Sequence, residues 1–293
     1  MKVLLVKTSS MGDVIHTLPA VTDAVSAIPG LRFDWVVEET FQEIPRWHKS
    51  VDTIFPIAIR RWRKRFFHSL FSEELHDFIK RLRENQYDMV IDAQGLLKSC
   101  VVACIAHGKR YGLDKQSIRE PIASYFYRNK YSVSQSQHAI RRGRELFSKI
   151  FGYELSNATP DYGIQRNNIF VDLGEKPYVL FLHGTTWATK HWPESYWKLL
   201  IEKTTQLGIV VKLPWGNTQE FERATRLAEG MQNIEILPKK TLLELAQIIS
   251  NAKAIIAMDT GLGHLAAALE VPTISLYGPT DPKLTGALGK SQI

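Results

Sequence analysis

Lys2-Val3-Leu4-Leu5-Val6-Lys7-Thr8-Ser9-Ser10-Met11-Gly12-Asp13-Val14-Ile15-His16 opens the chain and decides its class. An apolar run gives way to a short loop of small polar residues. Apolar positions at helical spacing then continue over Val14–Ile28 and stop at Pro29-Gly30. This reads as buried strand, turn and helix. The apolar run is far too short for an export signal, and Asp13 follows it too soon. The same unit recurs. Phe33–Glu38 and Tyr87–Asp92 are further strands, the second leading into Ala93-Gln94-Gly95. From Glu154 to Lys176 the chain turns polar and irregular, as a linker does. Beyond it, strands over Tyr178–Leu182, Ile209–Leu213, Ile234–Leu237, Ala254–Met258 and Thr273–Tyr277 alternate with helices over Glu194–Leu207, Thr218–Gly230, Leu242–Asn251 and Leu262–Leu269. Such alternation predicts an α/β protein with parallel sheets and right-handed crossovers. Its 293 residues divide into two Rossmann-like domains, 1–165 and 166–293, facing each other across a cleft.

Hydrophobic residues make up 44% and charged residues 23%, ordinary globular values. No apolar run reaches the roughly 18 residues that span a bilayer. Cys100 and Cys104, the only two cysteines, fall one helical turn apart and read as buried reduced thiols, which suits the cytoplasm. The net charge of +7 is unevenly spread. Residues 1–170 hold 25 Lys and Arg against 18 Asp and Glu, whereas residues 171–293 hold 12 of each. A bias confined to one half points to an anionic partner bound there.

In parallel α/β sheets, ligands bind beyond the carboxyl ends of the strands, so the loops there carry the candidates. Thr8–Asp13 is one: glycine and small hydroxyl residues leave open amides at a helix start, and Asp13 stands at its mouth, where it also suits a helix cap. A P-loop and a dinucleotide fingerprint are both absent. His183–Pro193 is the second, with Thr185, Thr186 and Lys190 as donors for phosphate oxygens. His183 and His191 match no metal-ligand spacing, and no metal is assigned. Met258–Ala268 is the third: a strand ends in Asp259, and Gly261 and Gly263 open a helix whose amides suit a pyrophosphate. Tyr277-Gly278-Pro279-Thr280-Asp281-Pro282 adds a rigid polar loop.

Taken in order, Lys7–His16, Lys190-His191-Trp192-Pro193, Asp259-Thr260-Gly261-Leu262-Gly263-His264 and Gly278–Pro282 resemble the ADP-heptose:lipopolysaccharide heptosyltransferase family, nearest to its heptosyltransferase I members. The similarity runs over essentially the whole chain, through Phe33–Glu39 and Val90–Gly95. The resemblance implies the GT-B architecture. It implies an inverting, metal-independent transfer of heptose from ADP-heptose to a Kdo residue of Kdo-lipid A, in lipopolysaccharide inner-core synthesis. It assigns the catalytic base to Asp13 and phosphate contacts to Thr185, Thr186 and Lys190, Lys190 also serving catalysis. Donor binding falls to Glu220, Asp259, Thr260, Gly261, Leu262 and His264. Ser10 and Gly12 fall on the acceptor side. No cofactor is implied, ADP-heptose being a substrate. The chemistry is coherent: a carboxylate takes the proton of a sugar hydroxyl as it attacks, and fixed donors stabilise the departing ADP.

Ile59-Arg60-Arg61-Trp62-Arg63-Lys64-Arg65-Phe66-Phe67 packs five basic residues into six positions. Solvated face, nucleic-acid site, membrane surface and acceptor clamp all suit such a run. Given the charge asymmetry, Arg60, Arg61, Arg63 and Lys64 are expected to grip the phosphates and carboxylates of lipid A and Kdo, with Arg119 and Arg142 beside them. The interleaved aromatics also favour the anionic cytoplasmic face of the inner membrane, where the protein is expected to sit peripherally. The rivals are another GT-B enzyme, such as a nucleotide-sugar epimerase, and a nucleic-acid binder, which leaves Asp13, Lys190 and Asp259 without roles. GT-B enzymes commonly close with a further helix packed on the first domain, so the second domain is expected to be short at its C-terminus.

Overall fold

The computed structural model describes residues 1–64, 72–165, 168–174 and 176–293, and the chain divides into two compact units, Met1–Gly163 and Ile164–Ile293. The first unit is built on β1 (Lys2–Val6), α1 (Met11–Ala27), β2 (Arg32–Glu38), β3 (Val51–Ile57), α2 (Ile59–Lys64), α3 (Glu73–Arg83), β4 (Gln86–Asp92), α4 (Leu97–Ile105), β5 (His107–Leu113), β6 (Asn129–Tyr131) and α5 (Ala139–Phe151). Its six strands are all parallel, in the order β3-β2-β1-β4-β5-β6. Val3, Leu4, Leu5 and Val6 are wholly buried. A central parallel strand has helices on both faces, which is why its sequence is apolar without alternation.

The strands that the sequence did not announce lie toward the edges. Val51-Asp52-Thr53-Ile54-Phe55-Pro56-Ile57 mixes polar residues with a proline, which an edge strand tolerates because one side needs no partner. β5 is polar and glycine-bearing, His107-Gly108-Lys109-Arg110-Tyr111-Gly112-Leu113. Along α4 the two cysteines part company, against expectation: Cys100 is buried and Cys104 exposed. Four residues advance only about 40° around a helix. The Pro121–Phe126 turn covers Cys100, whose Sγ lies 3.7 Å from the Ala123 carbonyl, and that small rotation carries Cys104 out from under it.

The second unit contains β7 (Tyr178–Leu182), α6 (Glu194–Gln206), β8 (Val210–Leu213), α7 (Thr218–Ala228), β9 (Ile234–Ile236), α8 (Leu242–Asn251), β10 (Ala254–Met258), α9 (Gly261–Ala268) and β11 (Thr273–Leu276). These five parallel strands run β11-β10-β7-β8-β9. Phe181, Trp197, Ile201, Val211 and Leu213 form the core on one face. The last residues continue beyond β11: Thr273 N donates to the Ser291 carbonyl at 3.0 Å, and Ser275 N to that of Ile293 at 2.8 Å. Among the described residues no helix is long and apolar enough to cross a membrane.

Candidate active site

Each sheet reverses its strand order once, between β1 and β4 in the first unit and between β7 and β10 in the second. Connections leave such a pair in opposite directions, so the loops at their carboxyl ends part and leave a crevice for a ligand. Ser10, Gly12 and Asp13 lie at the first of these points and Thr185, Thr186, Lys190, Asp259 and Thr260 at the second. The basic residues of α2, Arg119 and Arg142 lie on other elements.

In the first unit the loop after β1 is held by the loop after β4. Gln94 Oε1 accepts from Thr8 N at 3.0 Å and Ser9 N at 3.1 Å. Lys7 Nζ donates to the Ala93 carbonyl at 3.1 Å, and Lys98 Nζ to Ser9 Oγ at 3.2 Å. Asp92, buried at the end of β4, holds Gln94 in turn. Its Oδ1 accepts from Gln94 N and Gly95 N at 2.9 and 3.0 Å, and its Oδ2 from Ser99 Oγ and Tyr127 Oη at 2.9 and 2.7 Å. Burial pushes this carboxyl up, and the four donors pull against it.

Asp13 is the third residue of α1. Its Oδ2 accepts from Ser10 N at 2.7 Å and Ser10 Oγ at 2.8 Å, while Oδ1 lies 3.8 Å from Lys7 Nζ. The carboxylate therefore caps the helix, as Asp in the first turn does. Yet its side chain is 46% exposed, so capping and proton transfer are compatible at this residue. Gly12 is buried beside it.

The basic run forms α2, except that Arg65, Phe66 and Phe67 lie outside the described residues. Its members differ in what they touch. Arg60 stacks over the Phe41 ring at 5.1 Å, and its backbone N–H donates to Glu38 Oε1 at 3.0 Å. Glu38 is buried, which raises its carboxyl pKa against the pull of Arg60. Arg61 is engaged by Glu39 at 2.9 Å and Glu74 at 2.6 Å. Arg63, Lys64 and Arg119 are exposed. Arg142 donates to the Ser117 carbonyl at 2.8 Å, and burial lowers its pKa.

In the second unit, Lys190 and Asp259 meet across the switch point, Nζ to Oδ2 at 2.6 Å, with the aspartate side chain 7% exposed. Thr185 Oγ1 donates to the Asp259 carbonyl at 3.2 Å. Gly278, in the loop after β11, lies so close that a Cβ there would sit 3.1 Å from the Thr189 carbonyl oxygen. Glu220 enters from α7, its Oε2 accepting from Gly216 N at 2.7 Å. A Cβ on Gly184 would sit 2.8 Å from the Glu220 carboxyl carbon, so a larger residue there would push that carboxylate aside. Thr260 stands at the N-terminus of α9 without a side-chain capping bond, with Gly261 and Leu262 in the first turn and His264 buried behind them. Thr186 is exposed beside Thr185. His183 is buried in the same loop, which pulls its ring down to about 4. His191 Nδ1 lies 2.6 Å from Arg223. Among the described residues no three His, Cys, Asp or Glu side chains converge as a metal site requires.

Sequence reasoning singled out the loop after β1 but not the side chains that hold it, Asp92 and Gln94. The signal was present: Asp92-Ala93-Gln94-Gly95 ends a central strand, as the assigned loops do. Trp215 and Asn217 were missed as well. The indole N–H of Trp215 donates to the Leu237 carbonyl at 2.7 Å, and Asn217 caps the helix bearing Glu220.

Two doubly wound parallel sheets in one chain, each with its polar loops at the switch point, are the GT-B architecture. Glycosyltransferase family 9 (heptosyltransferase) matches over residues 75–293, and the chain belongs to that family. Lipopolysaccharide heptosyltransferase 1 of Pseudomonas aeruginosa is 54% identical over 294 residues, spanning 100% of this chain and 83% of its own length. Its namesake in Escherichia coli K12 is 52% identical over 297 residues, spanning 100% of this chain and 92% of its own. The solved E. coli heptosyltransferase WaaC with ADP matches at a TM-score of 0.95 and 50% identity, over 100% of this chain and 92% of that one.

Proposed function

We propose that the protein transfers L-glycero-D-manno-heptose from ADP-heptose to a Kdo residue of Kdo-lipid A, with inversion and without a metal, at the cytoplasmic face of the inner membrane. The observation that carries this reading is the Lys190–Asp259 pair at the second switch point, with Thr185 on the same aspartate. A lysine there, two threonine hydroxyls and the first amides of α9 suit a diphosphate that gains charge as it leaves. Asp259 keeps the lysine aimed until the donor arrives, and the diphosphate then competes for it. In the first unit, Asp13 takes the proton of the attacking acceptor hydroxyl. The new bond forms at the anomeric carbon as the bond to the ADP oxygen breaks. Direct displacement by the acceptor inverts that centre.

The acceptor reading rests on charge. Arg63 and Lys64 are exposed, and the first half of the chain carries the whole excess of +7. Half-buried Arg142, whose charge burial disfavours, would gain from an anion. A lipid with phosphates and carboxylates meets these needs, and nucleic acid is not the expected partner. The deciding experiment measures ADP release from ADP-heptose with and without Kdo-lipid A. Release that needs the acceptor, with heptosylated lipid as product, supports the reading. Acceptor-independent release, or consumption of donor without glycosylated lipid, overturns it.

A further inference from the structure

The function just proposed leaves one surface of the first unit unused. On α4, Leu97, Val101 and Cys104 are exposed, Val101 by 60%. At about 100° per residue these three fall within a band some 60° wide, opposite the buried Ser99, Val102 and Ala103. The stripe continues onto the Pro121–Phe126 turn, which is tied to α4 by the bond from Leu97 N to Glu120 Oε2 at 2.6 Å. There Ile122 is 61%, Tyr125 66% and Phe126 48% exposed, while Ala123 and Tyr127 face inward onto Cys100.

Cations surround this apolar group. Between Leu97 and Tyr131 the chain has seven Lys and Arg against two acids, Asp114 and Glu120. Both acids are engaged with backbone amides, of Ser117 and Leu97. Lys130 Nζ lies over the Tyr125 ring at 5.7 Å, Arg110 Nε donates to the Phe126 carbonyl at 2.9 Å, and Arg128 is exposed. Exposed aliphatic and aromatic side chains ringed by Lys and Arg match a bilayer surface with anionic headgroups, the apolar groups entering the acyl boundary and the cations meeting phosphates. A second copy fits poorly, because a two-fold interface would bring two copies of the same net-positive patch together.

We infer that the stripe on α4 and the Pro121–Phe126 turn dock the protein on an anionic bilayer. The inference rests on a lipid-linked acceptor, and it places the membrane contact apart from the basic residues of α2. Docking raises the effective concentration of an embedded acceptor without touching the transfer chemistry.

The test compares wild type with a variant carrying Val101→Ser, Ile122→Ser, Tyr125→Ser and Phe126→Ser, all at exposed positions, after equal melting temperatures establish folding. Both are sedimented with vesicles of phosphatidylethanolamine and phosphatidylglycerol, and with phosphatidylcholine alone. Wild type should partition onto the anionic vesicles, and the variant about tenfold or more weakly, as the loss of several inserted side chains implies. Arg128→Ala with Lys130→Ala should weaken binding to the anionic vesicles only, in a salt-sensitive way. Turnover of a deacylated, water-soluble Kdo acceptor should be equal in wild type and the serine variant. Equal vesicle binding by the two proteins overturns the inference. So does a wild type that ignores vesicles, or one that dimerises through this surface and is made monomeric by the substitutions. Failure of the transfer reading shows separately, as no turnover of the soluble acceptor by wild type.

Discussion

Asp13 uses one carboxylate to cap α1 and, in the proposed chemistry, to take a proton. The two roles separate by substitution. Asp13→Asn keeps an acceptor for the Ser10 donors but cannot act as a base. It should keep its melting temperature and lose turnover by about a hundredfold or more, the usual scale of general-base catalysis. Asp13→Ala loses the cap as well and should be about 1 kcal/mol less stable. Calorimetry should find ADP-heptose affinity intact in both, because the donor residues belong to the other unit. Near-normal turnover in Asp13→Asn would leave capping as the residue's whole role. At Lys190 the expectation reverses: Lys190→Ala should weaken donor binding and turnover together, since leaving-group charge grows toward the transition state. Thr186→Val should do so more mildly. Unchanged donor affinity and rate would remove the diphosphate from that loop.

At the scale of elements, the loop after β1 owes its shape to its neighbour. Gln94 Oε1 satisfies two successive amides, and Asp92 fixes Gln94 from below. Gln94→Ala leaves both amides unpaired, at a cost of about 1–3 kcal/mol for each that stays buried. Kinetics should show kcat lowered with ADP-heptose affinity preserved, a split that simple unfolding would not give. The stretch after β2 sets an acid limit on the same unit. His48 is buried, and its Nδ1 accepts from Ser50 N at 3.1 Å while Nε2 faces Thr22 Oγ1 at 3.1 Å. Protonation would break the first bond, and burial holds the ring to about 4. Between the ordinary value of 6.5 and about 4 the unfolded chain takes up a proton that the folded one refuses. Stability therefore falls as pH drops through that window and levels off below it. The gap is worth roughly 3 kcal/mol. Urea midpoints at pH 7 and 4.5 should fall less steeply in His48→Gln than in wild type. Equal slopes would mean that other groups set the acid limit.

Over the whole molecule, the division of charge predicts how each substrate responds to salt. Exposed ionic contacts are screened beyond about 8–10 Å near physiological ionic strength. Added salt should thus raise the KM for Kdo-lipid A more than that for ADP-heptose. Arg63→Ala with Lys64→Ala should reproduce part of that rise and leave donor affinity unchanged. Arg61 is a different case. Glu39 and Glu74 already engage it, so Arg61→Ala should act on the setting of α2, with little effect on stability because such exposed pairs are screened by solvent. An acceptor KM indifferent to salt and to the double substitution would dissociate the basic excess from acceptor binding.

The primary structure by itself determined the alternation of strands and helices, the central strands and the loops at their carboxyl ends. These depend on local apolar runs and on glycine and small polar residues at turns, both readable within about ten neighbours. The second unit was legible nearly throughout, with Leu242–Asn251 and Ala254–Met258 falling where the pattern put them. The edge strands β3 and β6, and β5 next to the edge, were not, because half-exposed strands carry mixed sequence. Only tertiary structure decided the partners: Gln94 under Thr8 and Ser9, Lys190 on Asp259, and Arg61 between Glu39 and Glu74. Each joins residues distant in sequence, and no local pattern encodes such a pairing. Tertiary structure also separated Cys100 from Cys104, because a covering turn ends between two positions that the helix places only about 40° apart.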